Sequence, residues 1–331
     1  MNKKLAKHKL SKNLLKSETW LIDGGNGSEI INLTKFATAD FGALTAYKYP
    51  KAVEEVHKNY ADAGANFITV NTYSANYNIL NAIGYGDDCE DMIKQAIDRA
   101  KKSTSALENT FITGSISEHP PHDSNGKVCW PCEEQEILNF EKTLVHLFDQ
   151  NIDCLFLELI RTEMHGLRLT KALTNVWKKL VPSKKCPVFL CVVPQFKPTT
   201  NELIFQQSEA QKTGRNSETY QELTFSKNNI EMFINSLSEI DLIGVNVMHC
   251  TFESVSPAVE ILKSAWDGPI GVYPQHGYWE YPEWICTPVD YVKAKGMLQE
   301  WVSLGVNLYG GCCGTTPELI KFFQKELATE Q

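Results

Sequence analysis

The chain has 331 residues, of which 43% are hydrophobic and 22% charged, and its formal net charge is −8. This composition is typical of soluble globular proteins and excludes global disorder, and no apolar run approaches the ~20 residues needed to span a bilayer. The acidic balance argues against a nucleic-acid-binding surface, so we expect small-molecule partners, no nucleic acid and no membrane contact.

The chain begins with a lysine-rich stretch, residues 1–18, which we interpret as a solvated or frayed N-terminal extension. It lacks the continuous apolar core of a secretory signal, so we expect a cytoplasmic protein whose ten cysteines stay reduced. Its lysines are Lys3, Lys4, Lys7, Lys9, Lys12 and Lys16.

Residues 19–328 alternate short apolar runs with longer amphipathic segments, which predicts a parallel sheet covered by helices on both faces. Eight such units in about 300 residues favour a single-domain α/β fold, the (β/α)8 barrel (TIM barrel), over a doubly wound sheet. The predicted strands are Trp20–Asp23, Phe67–Asn71, Phe111–Ser115, Asp153–Glu158, Pro187–Val193, Leu242–Val247, Pro269–Tyr273 and Val306–Tyr309. The main predicted helices are Tyr49–Ala65, Cys89–Leu107, Glu133–Gln150, Glu163–Leu180, Ser254–Trp266, Pro288–Leu304 and Pro317–Leu327.

One long segment interrupts this alternation. Residues 195–229 are polar and lack a clear period, so they read as an insertion between the fifth and sixth strands. We expect it to form a lid or a surface excursion. The oligomeric state stays open.

Polar residues and glycines gather where the predicted strands end. Asp23 opens a glycine-rich turn after the first strand, Asn71 and Thr72 end the second, and Glu158 ends the fourth. Barrel enzymes carry their chemistry at this C-terminal face, so these residues predict an active site. The turn lacks the third glycine of a dinucleotide fingerprint, which makes a nucleotide site a weak hypothesis.

The eighth strand ends in Gly310-Gly311-Cys312-Cys313-Gly314, which predicts a metal site. Glycines allow close approach of the backbone, and zinc favours thiolate ligands. A catalytic zinc has three protein ligands and one open position, so a third ligand is required besides Cys312 and Cys313.

These motifs resemble the homocysteine S-methyltransferase family over residues 19–326. The resemblance is carried by the turn Asp23–Glu29, by Asn71-Thr72-Tyr73, and by the segment from Gly310 to Glu318. It implies a (β/α)8 barrel in which three cysteines bind Zn²⁺, and the zinc-bound homocysteine thiolate attacks a methyl donor to give methionine. It further implies that Cys312 and Cys313 bind the metal and that Asp23 and Glu158 hold the ammonium group of the substrate. The other expected substrate-binding residues are Glu29, Asn71, Thr72, Asn246 and Tyr273.

The third cysteine of the family is displaced in this chain. It normally follows Asn at the end of the sixth strand, but here Val247 follows Asn246. A short local insertion would restore the ligand at Cys250, which we favour, and His249 is the second candidate because imidazole is also a good zinc ligand. The alternative is an incomplete zinc site. The barrel would then bind a thiol or an amino acid without methyl transfer, or it would accept a different thiol.

A second group of metal-ligand residues follows the third strand. His119 and His122 form an HxxH motif, and Cys129 and Cys132 form a CxxC motif. The four residues could form a separate zinc site or lend a ligand to the first one, while coincidence is the other interpretation.

The methyl donor is expected to be a small onium compound. The chain shows no DxHxxG signature of a cobalamin module, and an aromatic loop, Tyr273–Trp284, follows the seventh strand. Aromatic faces attract methylated cations. We therefore expect S-methylmethionine or S-adenosylmethionine, ahead of a betaine, although a packed aromatic loop would have the same composition.

Overall fold

The computed structural model describes residues 10–35, 42–107, 109–206, 222–280 and 283–329. The strands in chain order are β1 Trp20–Leu21, β2 Phe67–Thr69, β3 Phe111–Ser117, β4 Cys154–Ile160, β5 Val188–Val192, β6 Pro194–Phe196, β7 Leu203–Phe205, β8 Leu242–Met248, β9 Ile270–Tyr273, β10 Tyr278–Glu280, β11 Glu283–Ile285 and β12 Leu308–Tyr309. The helices are α1 Lys12–Ser17, α2 Asn26–Thr34, α3 Ala43–Lys48, α4 Pro50–Asp62, α5 Tyr77–Ala82, α6 Cys89–Thr104, α7 Glu133–Asp149, α8 Glu163–Lys179, α9 Lys227–Ser236, α10 Phe252–Ala265, α11 Tyr291–Ser303 and α12 Pro317–Leu327. Within the described ranges, no helix has the length and apolarity needed to cross a membrane.

Eight strands form one parallel sheet in the order β1-β12-β9-β8-β5-β4-β3-β2. A parallel bridge between Ile22 and Phe67 joins the two edge strands and brings the sheet round to a nearly closed barrel. The eight strands predicted from apolar runs are these eight, so the (β/α)8 fold is confirmed. All chemistry-bearing strand ends therefore face the same side of the molecule.

Two buried clusters reflect the alternation of residues along the strands. On β4, Cys154 and Phe156 belong to the cluster inside the barrel, whereas Leu155 and Leu157 belong to the cluster between the sheet and the helices. Successive side chains of a strand point to opposite faces, and both faces are covered here. The predicted strands read as continuous apolar runs for this reason.

The described part of the N-terminal extension folds onto the barrel, so its prediction as a solvated segment is wrong from residue 10 onward. Leu10 and Leu15 are buried in the same inner cluster as Trp20. Ser11 caps α1, and the Lys12 ammonium lies 4.2 Å from the centre of the Trp266 ring. The short helix keeps its lysines exposed while its leucines add to the interior. Residues 1–9 lie outside the described residues.

The ends of the insertion pack against the barrel. Strands β6 and β7 form an antiparallel hairpin, and the buried ring of Phe205 lies 4.8 Å from that of Phe225 and 5.6 Å from that of Phe233. The described part of the insertion is thus an anchored hairpin rather than a surface excursion. Residues 207–221 lie outside the described residues, and a lid there stays a prediction.

Candidate active site

Asp23 lies buried at the C-terminal end of β1 and is held by β2 and by the turn that follows it. Its carboxylate accepts hydrogen bonds from the Thr69 backbone N–H (2.8 Å), the Thr69 hydroxyl (2.8 Å) and the Asn26 amide (2.9 Å). Burial raises the pKa of Asp23 from 3.8 to about 7, and the charge of Glu158 adds to this rise. All three donors to the carboxylate are neutral groups.

Glu158 lies opposite, on the inner face of β4. Its carboxylate accepts a hydrogen bond from the Tyr273 hydroxyl (2.9 Å) and another from the Ser115 hydroxyl. Thr72 fixes Ser115 by donating to its carbonyl oxygen (2.7 Å) and accepting from its backbone N–H (3.1 Å). Burial raises the pKa of Glu158 from 4.5 to about 6. Two buried carboxylates with neutral partners form a site suited to a cationic group.

The backbone of β4 is irregular next to Glu158. Leu159 has a positive φ of 60°, and the pairing of β4 with β5 shifts register between Leu157 and Ile160. The Leu159 backbone N–H points to the Met248 sulfur at 3.2 Å. Such bulges redirect side chains, and a leucine with positive φ is strained, which is typical of functional sites.

The two adjacent cysteines follow β12 in a turn that joins three strand ends. The Gly311 backbone N–H donates to the Asp23 carbonyl (3.1 Å), and that of Cys312 donates to the Pro274 carbonyl (2.8 Å). A Cβ on Gly311 would stand 2.1 Å from the Thr315 side chain, and one on Gly310 would stand 2.6 Å from Ile22. The glycines are therefore required for the close packing of this turn.

His249 lies beside the two thiols. Its Nδ1 is 3.5 Å from the Cys312 Sγ, and the Cys312 and Cys313 sulfurs are 3.9 Å apart. One ligand atom from each of the three residues lies within 4.8 Å of the other two. Two thiols and an imidazole at this spacing can hold a metal ion.

Cys250 is not part of this cluster, contrary to the expectation from the sequence. His249 has a positive φ of 48°, and its ring faces the thiols, whereas Cys250 is buried in the outer core. Val247, at the position of the expected family cysteine, also belongs to the outer core. Strict alternation would place residues 247 and 250 on opposite faces, but the positive φ of His249 breaks it, so Val247 and Cys250 share the outer side and His249 faces the thiols.

The two thiols influence each other's protonation, and the His249 ring influences that of Cys313. The Cys312 thiol and the His249 ring hold the pKa of Cys313 well below its usual value. The hydrogen bond to Cys313 and burial raise the pKa of Cys312 well above it. The pair therefore favours a thiolate at Cys313, which is the protonation state a metal ligand needs.

The remaining predicted residues differ in their placement. Tyr273 and Thr72 belong to the Glu158 site, as described above. Asn246 is buried in β8 and its amide donates to the Cys191 sulfur (3.5 Å). Glu29 is half-buried on α2, where it accepts from Asn32 (3.0 Å), and Asn71 lines a small cavity facing α3 and α6. In the part of the chain that the structure describes, none of these three side chains hydrogen-bonds to Cys312 or Cys313.

The second predicted metal site is not assembled among the described residues, which include all four candidates. The rings of His119 and His122 are 5.8 Å apart, but Cys129 contacts the Pro121 carbonyl and Cys132 is exposed at the start of α7. No three of these residues form a group with metal-ligand distances.

Three residues that the sequence did not single out support the carboxylates. They are Asn26, Thr69 and Ser115, and each donates to Asp23 or Glu158. Ser115 could have been found from the alternation in β3, where Thr113, Ser115 and Ser117 occupy one face.

The aromatic loop is described only in part. The backbones of β10 and β11 form an antiparallel hairpin, and Tyr278 is exposed. Tyr281 and Pro282 lie outside the described residues, as do the side chains of Trp279 and Trp284. A donor site there stays a prediction.

Comparisons with known proteins agree with one another. A family model described as Homocysteine S-methyltransferase matches residues 20–327. Homocysteine S-methyltransferase 1 of Saccharomyces cerevisiae is 25% identical over 321 residues, with 90% of each chain covered. Homocysteine S-methyltransferase 1 of Zea mays is 21% identical over 331 residues, with 93% of this chain and 94% of the maize protein covered.

Solved structures show the same architecture. The metallated form of the homocysteine methyltransferase MmuM from Escherichia coli superimposes with a TM-score of 0.67 at 18% identity. The match covers 95% of this chain and 98% of the bacterial one. The apo form of that protein gives a TM-score of 0.63 at 17% identity. At this identity, the likeness shows a shared fold.

Proposed function

The chain belongs to the homocysteine S-methyltransferase family, and from this premise we propose that it moves a methyl group from a small onium donor to homocysteine at a zinc site formed by His249, Cys312 and Cys313. The observation that carries the proposal is the convergence of these three side chains at one end of the barrel, on the face where Asp23 and Glu158 lie buried. The homocysteine sulfur would lie at the end of the site formed by the thiols. Its ammonium group would lie at the carboxylates of Asp23 and Glu158.

The donor set fits zinc. Catalytic zinc sites use three protein ligands and leave a fourth position for substrate, and a site with two cysteines and one histidine has precedent among zinc enzymes. When bound, the metal supplies a positive charge that stabilises the thiolate form of the homocysteine sulfur at neutral pH.

The protein groups orient the acceptor. Asp23 and Glu158 in their ionised forms pair with the homocysteine ammonium group, and charge-assisted hydrogen bonds of this kind are roughly twice as strong as neutral ones. Ser115, Tyr273 and Thr69 hold the two carboxylates in place through the hydrogen bonds described above. Positioning of this type converts a bimolecular reaction into one between fixed partners.

The methyl transfer needs no oxidant or reductant. The homocysteine sulfur forms a bond to the methyl carbon with its own lone pair, and the bond from that carbon to the donor sulfur breaks. The electron pair of the broken bond stays on the donor sulfur, which becomes a neutral thioether. With S-methylmethionine both products are methionine, and with S-adenosylmethionine they are methionine and S-adenosylhomocysteine.

A sulfonium donor is supported by the composition of the loop that follows β9. The run from Tyr273 to Trp284 is rich in aromatic residues, and Tyr278 is exposed. An aromatic face attracts a cation by about 0.5–2 kcal/mol, and this attraction disappears when the donor becomes neutral. Such a difference favours release of the demethylated product.

Zinc analysis of purified protein tests the proposal directly. The wild type should retain about one zinc per chain. Cys312→Ser and His249→Ala should lose most of it and form little methionine from homocysteine with either sulfonium donor. X-ray absorption at the zinc edge should show two sulfur ligands and one nitrogen ligand from the protein.

Two matched controls sharpen this experiment. Cys250→Ser removes the buried cysteine next to the proposed ligand, and Cys286→Ser removes an exposed one, so both should keep their zinc. Loss of zinc from Cys250→Ser but not from His249→Ala would contradict the ligand assignment. Zinc binding without methionine formation from any donor would favour the barrel that only binds a thiol or amino acid.

A further inference from the structure

A buried arginine lies at the end of β4, three residues beyond Glu158. Arg161 is 9% exposed, and its Nε has no hydrogen-bond partner among the described residues. The nearest ion-pair contact from Nε is to the Glu118 Oε1 at 3.9 Å, which exceeds a hydrogen-bond distance. A guanidinium group stays charged at any physiological pH, and burying it without a hydrogen-bonded anion is costly.

Glu118 is already engaged by other donors. Its Oε1 accepts from the backbone N–H groups of Arg161 (2.7 Å) and Thr162 (2.8 Å), and its Oε2 accepts from the Thr162 hydroxyl (3.0 Å). Thr162 is the N-cap residue of α8, so this carboxylate serves the start of that helix. Glu118 therefore fixes the backbone at Arg161 and leaves the guanidinium fork able to receive a second anion.

The side chain of Arg161 lies on the active-site face of the barrel. Its Nε lies 3.9 Å from the carboxylate of Glu118, the residue that directly follows β3, so the side chain lies at the strand ends of the C-terminal face. Besides Glu118, the charge of Arg161 affects the pKa values of Tyr73, His119 and His122, which lie in the loops after β2 and β3. The ring of His119 lies 6.0 Å from that of Tyr73 and 5.8 Å from that of His122.

Tyr73 links this region to the thiols. Its side chain packs against the inner core cluster of the barrel, as that of Cys312 does, and the charge of Arg161 lowers its pKa. Burial holds the pKa of His119 well below its usual value and lowers that of His122, so both imidazoles are neutral near pH 7. Arg161 therefore carries a permanent positive charge in this region, at the same barrel mouth as the carboxylates of Asp23 and Glu158.

We propose that Arg161 binds the carboxylate of an α-amino-acid substrate of the methyl transfer. The inference rests on the proposed function, because both homocysteine and S-methylmethionine carry an ammonium group and a carboxylate. Asp23 and Glu158 would neutralise the first charge and Arg161 the second. The planar fork of arginine matches a carboxylate in a bidentate geometry that lysine cannot reproduce.

Two pairs of probes separate the possible sources of the carboxylate. The first pair is homocysteine and 3-aminopropane-1-thiol, which lacks the carboxylate. The second pair is S-methylmethionine and (3-aminopropyl)dimethylsulfonium. Isothermal titration of the zinc-loaded wild type should show a preference for the carboxylate-bearing member of one pair by roughly 10- to 100-fold, the range expected for a hydrogen bond to a charged group.

Arg161→Gln should remove most of this preference in that pair and leave the affinity for the carboxylate-free member unchanged. Arg161→Lys should restore part of it. Arg99→Gln is the matched control, because the Arg99 guanidinium bonds to Gln95 on α6, and it should retain the full preference. Zinc content should be equal in all four proteins.

Three results would overturn the inference. The wild type could show no preference in either pair, which decides the matter even if Arg161→Gln fails to fold. Arg161→Gln could lower the affinity for both members of a pair equally, as substitution of a purely structural residue would. It could also leave the preference for the carboxylate-bearing member intact. Failure of the wild type to bind any of the four probes would instead refute the proposed function, and this inference with it.

Discussion

Replacement of Glu158 by Gln should make the metal-free protein more stable and the substrate complex weaker. Glu158 is buried, and its carboxylate accepts hydrogen bonds from Ser115 and Tyr273. Glutamine keeps the shape of the side chain and can keep one of these bonds, while its amide can donate to the other hydroxyl oxygen. The principal change is the loss of the negative charge.

The sign of the stability effect follows from the pKa. Burial raises the pKa of Glu158 in the folded protein from 4.5 to about 6, so the folded state holds its proton more tightly than the unfolded state does. This contribution to stability is fully present below pH 4.5 and is lost as the pH rises through about 6. A rise of this size corresponds to about 2 kcal/mol, which the wild type has lost at pH 8 and the Gln variant has not.

The assay is urea and thermal unfolding of both metal-free proteins at pH 8 and pH 4.5. At pH 8, Glu158→Gln should gain up to about 2 kcal/mol, or about 3 °C in Tm for a chain of this length. At pH 4.5 the gain should be much smaller. Homocysteine binding to the zinc-loaded variant should weaken by roughly 30-fold or more, because the ammonium group loses a buried charged partner.

Glu136→Gln serves as the control. Glu136 is equally buried but pairs with His165 and Arg168 between α7 and α8, away from the barrel mouth. This variant should lose stability and keep its affinity for homocysteine. The reasoning would be refuted if Glu158→Gln were less stable than the wild type at pH 8, or if it bound homocysteine equally well.

Two further predictions address the other carboxylate and the second cysteine pair. The affinity for the product methionine, which has no titrating thiol, should increase as the pH rises through about 6 to 7, because Asp23 (pKa about 7) and Glu158 (pKa about 6) must lose their protons. In Asp23→Asn the part of this increase near pH 7 should be absent, and an identical pH profile in calorimetric titrations would contradict it. Replacing Cys129 and Cys132 together with Ser should leave the zinc content unchanged, because their thiols do not converge with His119 and His122; loss of one zinc per chain would show a second site.

The barrel could be predicted because its strands and helices are each encoded by a short stretch of the sequence. Each strand of a parallel sheet is buried on both faces, so runs such as Cys154–Ile160 are apolar throughout, and the helices between them have a period of their own. The N-terminal helix escaped this reasoning. Its lysines dominate its composition, while Leu10 and Leu15 reveal their burial only when the barrel interior exists to receive them.

Some residues of the candidate site could likewise be predicted from the sequence, and others could not. The positions of Asp23, Glu158, Cys312 and Cys313 at strand ends follow from the apolar runs that precede them, and parallel strands bring such ends to one face. That His249 rather than Cys250 lies beside the thiols could not be read from the chain order, because a positive φ at His249 determines which of the two neighbours faces them. The packing of the loops also left the Arg161 Nε without a hydrogen-bond partner among the described residues. Strand position is encoded in local composition, whereas the direction of a side chain beyond the last ladder pair depends on backbone angles and packing from distant parts of the chain.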